Sequence, residues 1–471
     1  MIKFGTGGWR AIIGDDFTKK NICLVGQALA DRIINLKQED IPVIIGYDRR
    51  FLSEQASKWL AGVLAGNGIQ VFLMHRSSPT PMTMHAVLKR KLEYGLEVTA
   101  SHNPYLYNGI KIIVREGRDA PVDVTSDIEK RILGITEIKE KSIESAEREG
   151  IITYPDNLFN DYIDDILSQL DQNAIRDRGL RILFNPMHGS GTYPFEVIFN
   201  TTRCTLDLIN DNKDAYFGSL LPAPTEETLR DLKNGVLKGR YDIGLAVDGD
   251  GDRLGVIDSD GSYISANKIL VLLYYYLHEY KGMGGPVVRN LATTHLLDRI
   301  AKSFGEMCYE VPIGFKFISS EIDRVNAVLG GESSGGLTVR GHIHGKDSAY
   351  SAALFVEMIC KTGKSPCELI REIESKFGCS EFVEYNFELP IEKKERLAFM
   401  FKEMQGKIPS FDNTVLKLNY SDGCKVYFTD DSFVICRPSG TEDIIRIMAE
   451  ADSKEKCRKY IKAWKDYIDL L

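Results

Sequence analysis

A strand, an amphipathic helix and a second strand recur three times along this chain, and that repetition restricts the fold more than any other feature. Residues 41–48 read as a buried strand, 54–65 as an amphipathic helix and 69–74 as the next strand. The same grammar returns at 180–185, 193–199 and 205–210, and again at 286–291, 295–304 and 308–311. Strands joined through a helix lie parallel, so three related α/β units are expected. Residues 128–162, rich in Glu and Lys, read as a charged connection between the first unit and the second. The last hundred residues change character. Segments 382–389, 414–418, 425–429, 432–436 and 444–449 read as short strands joined by tight turns, closed by an amphipathic helix over 453–470. They predict a separate α+β domain.

With 471 residues and 43% hydrophobic content the chain can bury more than one core, at a prior of ~150 residues per domain. A formal net charge of -8, from 59 basic and 67 acidic side chains, argues against a nucleic-acid footprint and leaves room for local anion pockets. Nine scattered cysteines with no Cys-x-x-Cys pair point to neither a disulfide framework nor a zinc ribbon, and so to a reducing cytoplasm. The first residues lack a basic-then-apolar signal, and the longest apolar runs, such as 269–277, are too short to span a bilayer. A soluble protein without a membrane partner is expected.

Five loops carry chemistry. Ser101 lies in Thr99-Ala100-Ser101-His102-Asn103-Pro104, after the strand-like run 94–98. A hydroxyl at a strand end, followed by Asn-Pro turn chemistry, is placed to act as nucleophile or phosphate carrier. Neighbours in an extended chain face opposite ways, so His102 is expected to be a poor base for Ser101 but able to steady a phosphate oxygen. Asp248, Asp250 and Asp252, spaced by two after the apolar strand 243–247, would share one side of an extended segment. All-oxygen ligands suit Mg2+, and a phosphorylated Ser101 would supply a fourth.

Gly5, Gly7 and Gly8 with Arg10 offer a backbone free to wrap an anion and a guanidinium to cap it. Glu332, Ser333 and Ser334 on a glycine frame can read sugar hydroxyls. That stretch also matches Gly-x-Ser-x-Gly, but no histidine follows His344, which argues against a hydrolase elbow. Arg437, Ser439, Gly440 and Thr441 form an anion nest suited to phosphate.

Together these loops resemble, in type and order, those of the α-D-phosphohexomutases, the phosphoglucomutase and phosphomannomutase superfamily, over nearly the whole chain. The resemblance implies four domains around a central cleft: three related α/β domains with mixed sheets and a C-terminal α+β domain. Boundaries at 1–150, 151–260, 261–375 and 376–471 fit that plan. It further implies an isomerase, an intramolecular phosphotransferase interconverting glucose 1-phosphate and glucose 6-phosphate, with glucose 1,6-bisphosphate as intermediate and primer. Ser101 would carry the phosphoryl group and share Mg2+ with the three aspartates. Arg10, Lys111 and Arg253 would surround the transferred phosphate, Glu332 and Ser334 would read the sugar, and the Arg437 loop would hold the phosphate at rest.

Several relatives active on both mannose and glucose phosphates carry His where this chain has Gly336. The segment His342-Ile343-His344-Gly345-Lys346-Asp347 instead resembles the extended form of phosphoglucomutases, with Lys346 as acid or base. Phosphomannomutase or dual-specificity activity, phosphoglucosamine mutase activity, a Mg2+-dependent sugar phosphatase and an idle sugar-phosphate binder are the competing readings. A monomer or homodimer is expected.

Overall fold

The computed structural model describes residues 2–5, 7–405, 407–438 and 444–471. They fall into two compact units, Met1–Ile269 with Ser334–Cys367, and Leu270–Ser333 with Glu368–Leu471. All three repeats fold as strand, helix and parallel strand. Val43–Tyr47 leads through helix Ser53–Gly66 to Val71–Leu73, and Arg181–Asn185 through Thr192–Thr201 to Thr205–Leu208. In the second unit Val287–Asn290 leads through Leu296–Ser303 to Cys308–Val311.

The first sheet is mixed, because the fully buried strand Tyr94–Val98 runs parallel to Val43–Tyr47 but antiparallel to Tyr107–Val114 on its other side. Tyr107–Val114 in turn pairs antiparallel with Gly8–Ile12. These neighbours bring three sequence-distant segments to one sheet end. Part of the charged stretch 128–162 belongs to this layer, since Ile152–Thr153 extends the sheet beside Val71–Leu73 and Ala146 is completely buried. That edge strand is two residues long and sits among Glu- and Lys-rich segments, which leaves it no sequence signal of its own.

A second sheet holds Ile243–Val247 between parallel Arg181–Asn185 and antiparallel Leu254–Asp258, so residues 248–253 are a hairpin connection. Helix Ser348–Thr362 closes the first unit. Asp347 accepts hydrogen bonds from the Ala349 and Tyr350 amides at its start, and Gly363, at φ 70°, ends it.

In the second unit an antiparallel sheet runs Glu381–Glu388, Ile444–Ala451, Phe433–Pro438, Cys424–Phe428 and Val415–Asn419. Its apolar face packs under helices Ile391–Glu403 and Lys454–Asp469 through Leu397, Phe401, Trp464 and Ile468. The first of these helices falls between the expected strands 382–389 and 414–418, and the spacing of Leu397, Met400 and Phe401 after Pro390 marks it. Among the described residues no helix is long and apolar enough to cross a membrane.

The second unit also buries a charged cluster. Lys425, fully buried, donates to Glu310 at 2.7 Å, and Arg289 donates to the same carboxylate oxygen at 2.6 Å and to Asp298 at 2.7 and 2.9 Å. Burial alone would raise the Glu310 pKa; the charges of Lys425 and Arg289 outweigh it and hold the carboxyl down to about 2. Removing one member of such a cluster leaves buried charge uncompensated, so Glu310→Gln should destabilise the protein by about 3 kcal/mol at pH 7. The folded pKa lies below the unfolded one, so this stabilisation is present above ~4.3 and is lost as pH falls toward 2. Denaturant titrations from pH 7 to pH 3 should therefore show wild type and variant converging as the pH is lowered. A constant gap would assign the loss to packing.

Candidate active site

Strand Tyr94–Val98 delivers the serine loop. Ser101 is 1% exposed and sits in the left-handed region at φ 51°, a conformation a non-glycine residue keeps only when its surroundings enforce it. Its amide donates to Thr99 Oγ1 at 2.8 Å and its hydroxyl donates to Asp248 Oδ2 at 2.8 Å. The expectation that His102 faces away from Ser101 is corrected here, since His102 Nδ1 lies 3.3 Å from Ser101 Oγ. Alternation of faces requires an extended backbone, and the turn at Ser101 breaks it. Burial, together with the charges of Arg253, Arg10 and Lys346, pushes the His102 pKa well down, leaving a neutral ring beside the hydroxyl.

The aspartate hairpin meets this loop within the first unit. Ligand-capable oxygens of Asp248, Asp250 and Asp252 all lie within 4.8 Å of one another, and all three residues are buried. They converge through a turn and not, as expected, through an extended segment: Gly251 has φ 68°, and Asp248 Oδ1 accepts from the Asp252 and Arg253 amides at 2.9 and 3.1 Å. Lys111 Nζ donates to Asp250 Oδ2 at 2.6 Å and to Asp252 Oδ2 at 2.8 Å. Lys346 Nζ is 3.2 Å from Asp252 Oδ2, and Arg253 Nε is 3.9 Å from Asp248 and 3.8 Å from Asp252.

Burial and the two neighbouring carboxylates push Asp248 up to about 8. For Asp252 the charges of Lys111, Lys346 and Arg253 outweigh burial and hold the carboxyl down. The Oδ1 atoms of Asp250 and Asp252 are buried and accept no hydrogen bond from any described residue. Orphaned anionic oxygens on converging carboxylates are the donor set of a hard divalent cation such as Mg2+.

Two devices place the cations. Lys111 stands opposite Glu97 in the register that pairs Val98 with Ile110, and Arg10, opposite Gly109 on the next strand, donates to Asn103 Oδ1 of the serine loop at 2.5 Å. Lys346 rides on a segment fixed by Asp347, whose carboxylate meets His342 Nε2 at 2.6 Å and accepts from the Tyr162 hydroxyl at 2.8 Å. A Cβ built on Gly336 would lie 2.0 Å from Lys346 Cδ, so the lysine stem fills the space a side chain there would need.

The remaining expected residues are distributed as follows. Ser334 opens the segment 334–367 of the first unit. Glu332 is buried in the second unit after strand Leu329–Gly331, with Oε2 3.4 Å from Asn290 Nδ2. Arg437, on Phe433–Pro438, donates through Nε to Asp422 Oδ1 at 2.7 Å. Ser439, Gly440 and Thr441 lie outside the described residues.

Sequence reasoning missed Thr80, which donates to Asp250 Oδ2 at 2.5 Å, and the buried pair Asp48 and Arg50 behind the serine loop. Three charged residues in a row, Asp48, Arg49 and Arg50, at the end of the apolar run 41–48 are the available signal for that pair.

Four family models cover most of the chain, all described as phosphoglucomutase/phosphomannomutase: alpha/beta/alpha domain I over 1–139, domain II over 160–261, domain III over 265–377 and the C-terminal domain over 389–465. A phosphoglucomutase/phosphomannomutase of Thermococcus kodakarensis is 30% identical, over 98% of this chain and 96% of that protein. A phosphoglucosamine/phosphogalactosamine mutase of Sulfurisphaera tokodaii is 26% identical over 99% of both. Among solved structures, one from Thermus thermophilus carrying a phosphomannomutase name superposes with a TM-score of 0.86 at 26% identity, covering 99% of each chain. Four matched domains in order, and relatives aligned from end to end, show that the chain belongs to the phosphoglucomutase/phosphomannomutase family, the α-D-phosphohexomutases, and is an isomerase of the intramolecular phosphotransferase type.

Proposed function

We propose that the enzyme interconverts glucose 1-phosphate and glucose 6-phosphate through a phosphorylated Ser101 and a glucose 1,6-bisphosphate intermediate, with domains near 1–150, 151–260, 261–375 and 376–471. The observation that carries the chemistry is the buried Ser101 hydroxyl 2.8 Å from Asp248, on a three-carboxylate cluster faced by Lys111, Lys346 and Arg253. Asp248, Asp250 and Asp252, joined by a phosphoryl oxygen on Ser101, would hold Mg2+, which supplies charge neutralisation at the transferring group.

A phosphoserine of about -2 beside a divalent cation leaves the local charge unchanged. With Mg2+ bound all three carboxylates would be ionised, and against them Lys111, Arg253 and Arg10 sum to zero. The incoming sugar phosphate thus meets a neutral pocket before Lys346 is counted. In transfer, a sugar hydroxyl oxygen forms the new bond to phosphorus as the bond to Ser101 Oγ breaks. The proton of that hydroxyl would pass to Lys346 in its neutral amine form, which thereby becomes the ammonium, and neutral His102 steadies the serine oxygen. Glu332 and Ser334 read the sugar, and Arg437 with Ser439, Gly440 and Thr441 holds the phosphate at rest.

The glucose assignment is supported by the lysine stem standing over Gly336, the arrangement the 342–347 segment produces in place of a side chain at 336. Mannose and glucosamine phosphates are the second reading, favoured by the names of the relatives from Thermococcus and Sulfurisphaera. Purified protein with Mg2+ and the matching bisphosphate, assayed on glucose, mannose and glucosamine 1-phosphates, should give its highest kcat/KM with the glucose ester. A higher value for either competitor reassigns the sugar.

Ser101→Ala should lower turnover roughly 1,000-fold or more, because no second hydroxyl occupies the turn apex. Intact-mass measurement after bisphosphate treatment should add one phosphate to wild type and none to the variant. Phosphate on the variant would move the carrier to another residue.

Arg437→Ala should cost about 2 to 5 kcal/mol, or roughly 30-fold to several-thousand-fold in kcat/KM, in both reaction directions, since one loop serves both substrate poses. Phosphorylation of Ser101 should persist. Forward and reverse kinetics decide it: no loss in either direction would leave Arg437 as a partner of Asp422 alone.

A further inference from the structure

We infer that the buried Asp48–Arg50 pair is the positioning unit that holds Ser101 in its reactive turn. Neither residue touches reacting atoms. The inference rests on Ser101 being the phosphoryl carrier, and it adds what keeps that carrier in place.

Both side chains are fully buried, with Arg50 Nε 3.2 Å from Asp48 Oδ2. The guanidinium donates to three backbone carbonyls of the serine loop and to the first of the strand that follows: Nη2 to Ser101 at 2.6 Å and Asn103 at 2.7 Å, Nη1 to Pro104 and Tyr107 at 3.0 Å each. Asp48 holds the other side of the turn. Its Oδ2 accepts from Thr99 Oγ1 at 2.7 Å, and that same hydroxyl oxygen accepts the Ser101 amide at 2.8 Å. Its Oδ1 accepts from Ser53 Oγ at 2.6 Å and from the Arg50 amide at 2.9 Å. Both backbone polar groups of Ser101 therefore lead back to one carboxylate, the N–H through Thr99 and the C=O through Arg50.

This convergence accounts for the backbone. A non-glycine residue at positive φ is strained and persists only when its surroundings over-determine it. Six hydrogen bonds, four from Arg50 and two through Thr99, do so here. The same frame sets the distance to the carboxylates: a Cβ on Gly249 would lie 2.7 Å from the Ser101 carbonyl oxygen, so that oxygen is pressed between the Arg50 fork and the aspartate hairpin. Release of the carbonyl lets the turn relax and carries Oγ off Asp248.

A planar fork can reach four carbonyls, and an ammonium cannot, so Arg50→Lys keeps the charge and removes the positioning. Thr99→Val removes the other arm at nearly constant volume. The experiment measures kcat and KM with glucose 1-phosphate, the rate of Ser101 phosphorylation by glucose 1,6-bisphosphate, and Tm, for wild type and both variants. Misplacement of a reacting atom by about 1 Å lowers rate about 100-fold, so Arg50→Lys should lose about that factor in kcat, and Ser101 phosphorylation should slow in parallel. Thr99→Val should lose about tenfold, and KM in both should stay within about threefold of wild type.

Unchanged kcat in a folded Arg50→Lys, or a loss appearing only in KM, overturns the inference. So does a kcat loss that vanishes once rates are expressed per folded molecule from the melting curves. If Arg50→Lys fails to fold, Thr99→Val decides by the same criteria. Wild type that never accepts phosphate from the bisphosphate would instead overturn the phosphoserine reading itself.

Discussion

Three carboxylates drawn into one water-poor space repel one another, and the first unit is built around answering that repulsion. At an effective dielectric of ~20, unit charges about 5 Å apart repel by about 3 kcal/mol, so Asp248, Asp250 and Asp252 could not all stay ionised without compensation. The three do not share the strain equally. Asp250 and Asp252 are held ionised by cations that touch them, while burial and the two neighbouring carboxylates push Asp248 up to about 8, although its Oδ1 accepts from two backbone amides. The serine hydroxyl donates its hydrogen bond to this carboxylate.

Each compensating cation arrives by a different structural route. Lys111 comes from a strand whose register beside Tyr94–Val98 is fixed by burial of both faces, so a slip of one residue would replace an ammonium with an isoleucine. Arg253 simply continues the hairpin. Lys346 depends on helix Ser348–Thr362: the Asp347 carboxylate that caps the helix is also gripped by His342 and Tyr162, so the cap and the lysine backbone move as one. Thr80 adds a hydrogen bond to Asp250 from yet another helix start. Rigid elements from across the first unit thus supply the site, and no single loop determines its geometry.

What was legible in the sequence follows from this construction. Hydrophobic period and spacing gave the three strand–helix–strand units, and glycine between acidic residues marked the aspartate hairpin, because these signals are local. Long-range signals were weak. The facing of His102 departs from strand alternation because the backbone of Ser101 is held at φ 51° by residues fifty positions earlier. Asp48 and Arg50 look like an ordinary polar strand end until the carbonyls they serve are in view. The edge strand Ile152–Thr153 has only two residues and no period of its own, and helix Ile391–Glu403 carries charge on most of its faces, with burial confined to Leu397, Met400 and Phe401.

Gly336 and Lys346 show how two positions that look independent in sequence form one physical choice. A side chain at 336 and the lysine stem cannot share the same space, since even a Cβ would come within 2.0 Å of Lys346 Cδ. A chain that places an imidazole at 336 must therefore send its 346 side chain elsewhere, and a chain that keeps glycine can lay a lysine over it. The lysine brings a positive charge to Asp252 that a neutral imidazole would not, so the swap also changes the charge balance of the carboxylate cluster. The space over residue 336 and the charge beside Asp252 are thus set by one side chain, and substitution at 336 acts on both through the room it takes.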